Sequence, residues 1–153
     1  PASRLDMVRP GLALYGLYPG FSPILTLKTK VVFLKTVPAG TPISYGAAYR
    51  THRPSRIATV PVGYADGLPR AYGARGGALL GGRRCPIVGQ ITMDMMMLDV
   101  SAVPEARVGD DVVLIGRQGR EQLPVEELAK TLGTIPYEVT TSLSSRVPRV
   151  YLA

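Results

Sequence analysis

At 153 residues and 46% hydrophobic content, the chain is long enough for one domain with a real core. Seventeen glycines and 14 prolines argue for many turns and short strands, which excludes a helical bundle. The net charge of +7, from 18 Lys and Arg against 11 Asp and Glu, invites an anionic partner, yet no basic helix or aromatic-interleaved RNA-binding signature accompanies it. The arginines are scattered in "RTHRPSR", "GRRC" and "GRQGR", as expected of solvated loops. With one histidine and one cysteine there is no His/Cys metal cluster and no intramolecular disulfide, and a reducing, cytoplasmic compartment is expected. No 18-residue apolar run and no signal peptide are visible.

In chain order, residues 1–20, "PASRLDMVRPGLALYGLYPG", differ from the rest. A short apolar strand, "MV", meets an Arg-Pro-Gly corner, a pattern suited to a strand-end loop of an α/β unit. The first residue is Pro and the pattern starts midway, so the chain reads as a piece of something longer. "LTLKTKVVFLKTV" (25–37) alternates and then turns apolar, which predicts one long strand. "PAGTP" (38–42) turns it. "RIATVPVG" (56–63) predicts a second strand, and "ADG" (65–67) carries a hairpin-type signal. "GARGGALLGGRR" lacks the Lys-Ser/Thr ending of a phosphate loop and reads as hairpin tips around a short strand. "CPIVGQI" and "DMMMLDV" predict two more strands, with Cys85 as a small core residue. "VGDDVVLIG" (108–116) contains a buried strand. "PVEELAKTLG" (124–133) has helical spacing, Pro at its start and Gly at its end. "IPYEVTTSLSS" predicts a second short helix, and "VPRVYLA" a closing strand.

"ISYGAAYR" (43–50) raises a question that periodicity leaves open. Tyr45 and Tyr49 flank small residues that offer a large ring little cover. They are either half-buried core tyrosines around a β-turn or phenols aimed into a cleft. Four more stretches stand beside it: "MVRPGLALYG" (7–16), "PVGYADGLPR" (61–70), "IVGQITMDMMMLDV" (87–100) and "TIPYEVTTSLSSRVPRVY" (134–151). In order, spacing and wording the five resemble the C-terminal region of the alanine racemases, fold-type III pyridoxal-phosphate enzymes.

The resemblance implies a mainly β fold. Residues 25–153 would form a β-barrel-like C-terminal domain with two short helices. Residues 1–24 would be the remnant of the last βα unit of an N-terminal (β/α)8 barrel. It implies pyridoxal 5'-phosphate as cofactor, alanine as substrate, and a head-to-tail homodimer with composite sites. The lysine that holds the cofactor as a Schiff base would lie in the barrel. Lys28, Lys30, Lys35 and Lys130 match no such position, so the chain by itself is expected to be catalytically incomplete.

Racemisation takes a proton from one face of Cα and returns it to the other, which needs an acid–base group on each face. Tyr45 matches the family's tyrosine for one of them. A phenol ordinarily titrates near pH 10, so a base role calls for cationic or hydrogen-bond-donating neighbours. Arg9 matches the arginine facing the cofactor's pyridine nitrogen, which a guanidinium leaves unprotonated. Gly11 and Leu12 match positions whose backbone N–H groups hold the phosphate, and Tyr137 matches a tyrosine reaching it. Tyr64 and Arg70 match the substrate entrance. Met93 matches a backbone contact to the substrate carboxylate, with Asp94 orienting its loop. Otherwise the run Met93, Met95, Met96 and Met97 reads as strand packing. Gln90 and Thr92 depart from the pattern, standing where many relatives carry arginine and some carry cysteine. Two alternatives stay open: a related racemase of serine or broader range, and a basic β-barrel module binding RNA or a partner protein. No metal site is expected.

Overall fold

The structure, a computed structural model, describes residues 6–73 and 75–152. The first residues of the N-terminal reading and the last residue of the closing strand therefore lie outside it. Among the described residues are ten strands: β1 Leu27–Lys30, β2 Phe33–Val37, β3 Pro42–Ile43, β4 Tyr49–Arg50, β5 Ser55–Val60, β6 Gly77–Leu80, β7 Arg83–Pro86, β8 Met96–Asp99, β9 Asp111–Gln118 and β10 Glu121–Leu123. Two helices follow, α1 Val125–Leu132 and α2 Pro136–Ser142.

The predicted single strand over 25–37 is two strands with a corner between them. The Val31 N–H donates to the Asp110 carbonyl and the Val32 N–H to the Thr59 carbonyl, both at 2.9 Å. Neighbouring amides thus bond to different sheets, and the chain leaves β9 for β5 at that point. Alternation persists through such a corner, because apolar residues face the same interior on both sides of it.

One sheet runs β1-β9-β6-β7 with β10 also on β9, and a second runs β2-β5-β8. An antiparallel bridge, Ile87 to Leu98, joins the continuation of β7 to β8. Together with the Val31–Val32 corner it completes a ring of strands, and the fold is barrel-like as expected. Its interior holds Leu27, Val31, Ala58, Val60, Ala78, Leu80, Met96, Leu98, Val112 and Leu114. Strand β9 is buried on both faces: Val112 and Leu114 point into this core, while Val113 packs with Leu79 and Leu123. That is why "VVLI" shows no alternation.

Gly81 and Gly82, at φ 58° and 70°, make the two-residue turn between β6 and β7. Helix α1 carries Glu126 and Glu127 in its first turn and Lys130 in its last, matching the helix dipole. It ends at Gly133 in the left-handed region and buries Val125, Leu128 and Ala129. Helix α2 starts with Pro136 at its first turn and buries Val139.

Three local expectations differ from the structure. "MV" at 7–8 is not a strand. The Asp66–Gly67 pair is not a hairpin: it ends a 3-10 turn, with Gly67 at φ 103° packed against the end of α2. Residues 147–152 form no strand. A sheet needs a partner edge, and none reaches these two terminal segments among the described residues.

Candidate active-site cleft and phosphate cradle

Tyr45 stands on a one-turn 3-10 segment between β3 and β4 and is 75% exposed. It belongs to none of the three hydrophobic core clusters, so the core-tyrosine reading fails for it. Tyr49 is half-buried against the small cluster of Val37, Ile43, Ile57 and Val88. The turn is strained: Ser44 sits at φ 66°, ψ 178° and Ala47 at φ 49°. Non-glycine residues in such regions cost on the order of 1–3 kcal/mol each, and this kind of strain concentrates at functional sites.

The Tyr45 ring borders an open cleft of about 460 Å³, lined also by Tyr64, Arg70, Gln90, Thr92, Met93 and Asp94. Five of the sequence-predicted site residues, from three separate loops, meet there. Gly63 makes this possible. A Cβ at Gly63 would lie 2.2 Å from the Thr92 carbonyl oxygen and 2.4 Å from that of Met93. Without one, the Tyr64 N–H reaches the Thr92 carbonyl and the Ala65 N–H the Met93 carbonyl, both at 3.0 Å. The Thr92 hydroxyl donates to the Met95 carbonyl at 2.9 Å and accepts from the Met95 N–H at 3.1 Å, closing the loop on itself. The Met93 amide is thereby presented on an exposed bend. The methionine run divides accordingly. Met96 is core and Met97 packs on the small cluster, whereas Met93 and Met95 are exposed, Met93 at the cleft.

Charge in the cleft is held by partners. The Arg70 guanidinium donates to Oε1 of Gln90. Asp94 accepts from Arg146 at 2.6 Å, and Arg146 also faces Asp66 at 3.5 Å. Asp66 in turn accepts the Gly63 N–H at 2.9 Å. Arg146 thus ties the segment after α2 to two cleft loops, and its own proton is held more tightly by the hydrogen bond to Asp94, with Asp66 adding. Sequence reading missed this arginine. It lies 52 residues from Asp94, and no local pattern marks that pairing.

Gly11, Leu12 and Tyr137 meet elsewhere. Gly11 opens a 3-10 turn at φ 59°, and a Cβ there would lie 2.9 Å from the Tyr137 hydroxyl. Among the described residues, the Gly11 and Leu12 N–H groups have no backbone acceptor. Two free amides and a phenol around a glycine that a side chain would fill make a donor set suited to a phosphate. Arg9, two residues upstream, is exposed and has no ion-pair partner among the described residues. None of these four residues lines the Tyr45 cleft.

Residues 24–151 match the model of the alanine racemase C-terminal domain. The chain belongs to that family. It is 51% identical to the alanine racemase of Halothermothrix orenii, over 96% of this chain and 41% of that protein. The crystal structure of alanine racemase from Bacillus anthracis with bound L-Ala-P superposes with a TM-score of 0.88 at 42% identity, covering 94% of this chain and 39% of that one. The alanine racemase of Bartonella henselae, with covalently bound pyridoxal phosphate, gives 0.86 at 35% identity, over 93% and 40%. The chain therefore spans about two-fifths of the length of these racemases. Such membership argues against the basic interaction module. No described helix is long and apolar enough to cross a membrane, and no described cluster of His, Cys, Asp and Glu could hold a metal.

Proposed function

We propose that this domain forms part of a pyridoxal-phosphate-dependent alanine racemase, for which it supplies one of the two acid–base groups, Tyr45. The observation that carries the reading is the cleft: a phenol held exposed on a strained turn, facing an arginine and a free amide bend. Residues 1–24 are assigned to the last βα unit of a preceding barrel and residues 25–153 to the C-terminal domain.

The cofactor supplies an electron sink that makes the α-hydrogen of a bound amino acid acidic. Tyr45 moves that proton on one face, and a lysine of the barrel is assigned the other. The Met93 N–H holds the substrate carboxylate, and Asp94, fixed by Arg146, keeps that loop in place. Tyr64 and Arg70 line the approach. Gly11, Leu12 and Tyr137 would hold the cofactor's phosphate, and Arg9 would serve its pyridine nitrogen, which a guanidinium leaves unprotonated. Two sets of residues that do not share a cavity suit a head-to-tail homodimer. In it the Tyr45 cleft of one subunit closes over the cofactor cradle of the other.

Tyr45→Phe in the full-length enzyme tests this. Racemisation is expected to fall by about 100- to 10,000-fold, the usual worth of a positioned acid–base group. Exchange of the α-proton with solvent deuterium should be lost far more for L-alanine than for D-alanine, because the lysine still serves the other face. Full activity in Tyr45→Phe, or equal loss of exchange for both enantiomers, removes Tyr45 from this role.

A further inference from the structure

We infer that Ser44 is a positioning residue for Tyr45, its hydroxyl pinning the strained turn that aims the phenol into the cleft. The inference rests on the acid–base role proposed for Tyr45.

Ser44 adopts φ 66°, ψ 178°, a conformation that glycine takes freely and serine does not. A glycine there would remove the strain. What serine adds is Oγ, which donates to the Gln90 carbonyl at 3.0 Å. Strands β3 and β4 pair over only two residues each, so the ladder beneath the turn does little to orient it. Among the described residues, the Ser44 to Gln90 bond is the hydrogen bond that ties residues 44–48 to the loop carrying Gln90, which also lines the cleft.

The receiving side is shaped for it. Gly89 is at φ 76°, and a Cβ there would lie 2.5 Å from Cβ of Ser44 and 3.0 Å from the Ile43 carbonyl oxygen. Gln90 accepts from Ser44 through its backbone and from Arg70 through its side-chain amide. One residue thus registers the tyrosine turn against the entrance arginine. A phenol displaced by about 1 Å from its proton partner can lose on the order of a hundredfold in rate. A single hydrogen bond at the base of the turn is therefore enough to matter.

The test compares Ser44→Gly, Ser44→Ala and Tyr45→Phe in the full-length enzyme. Glycine removes both the bond and the strain, and alanine removes the bond alone. Ser44→Gly is expected to melt at or above the parent temperature, and Ser44→Ala below it. Both should lose about 10- to 100-fold in kcat with KM little changed. Their loss of α-proton exchange should fall mainly on L-alanine. A fluorinated tyrosine at position 45 should give a shifted, broadened fluorine resonance in Ser44→Gly. A Ser44→Gly enzyme with parental kcat and an unchanged fluorine line, beside an inactive Tyr45→Phe, overturns the positioning role alone. If activity instead follows melting temperature, with alanine impaired and glycine not, the serine is merely structural and the inference also fails. An active Tyr45→Phe removes the reading on which it rests.

Discussion

Tyr72 is 2% exposed, and its hydroxyl both donates to the Gly77 carbonyl and accepts the Gly77 N–H. Burial pushes its phenol above the usual range. Tyr45 is 75% exposed on a turn that excludes it from the core. The same side chain fills space in one place and reaches for solvent in the other, and the neighbours decide which. Cys85 belongs with Tyr72. It is 1% exposed in β7, and burial, with Asp99 adding, pushes its thiol up to about 11. The thiolate is the reactive form, so at pH 8 Cys85 should resist a disulfide reagent in the native protein. After unfolding in guanidinium, one thiol per chain should react at once. Rapid labelling of the native protein would show that β7 opens locally.

At the scale of elements, β1 and β9 are joined by ladder bonds and by charge. Asp111 accepts from Lys30 at 2.7 Å and from Lys28 at 3.1 Å. These hydrogen bonds, Lys30 first, hold its carboxyl below the ordinary range. A folded pKa below the unfolded value means that the stabilisation is present at neutral pH. It is lost as the pH falls through the carboxylate range. All three groups are partly solvated, so screening limits the pair to under about 1 kcal/mol. Asp111→Asn should therefore lower the urea midpoint slightly at pH 7. The difference should shrink in molar salt and diminish progressively as the pH falls through the carboxylate range. A difference that persists undiminished in acid would mean the asparagine disturbs the strand end itself.

At the scale of the molecule, the tyrosine cleft and the Gly11–Tyr137 cradle proposed for a phosphate occupy different places on one chain. If each active site takes its cleft from one subunit and its cradle from the other, two inactive variants can complement. Full-length Tyr45→Phe and Arg9→Glu, unfolded together and refolded, should recover about a quarter of the parental site activity. Half of the dimers are then mixed, and one site in each mixed dimer is intact. Sites built within single subunits would give no recovery. The apolar side chains left exposed near both ends, among them Met7, Leu14, Ile24, Val150 and Leu152, are surface such an assembly could cover.

Much of this was legible in the residues alone. Alternation and glycine placement announced a β-rich domain, the Gly81–Gly82 hairpin and both helices, because those signals are local: a turn or a cap is settled by a few neighbouring dihedrals. Motif order pointed to the family and named the cleft residues before any contact was known. Tertiary structure alone decided the corner at Val31–Val32, since the change of sheet depends on which carbonyls, Asp110 and Thr59, lie within reach. It alone paired Asp94 with Arg146 and set Ser44 against Gln90. Those contacts join residues 52 and 46 positions apart. No periodicity within a strand or helix carries information over such separations; only the closed ring of strands brings the loops together.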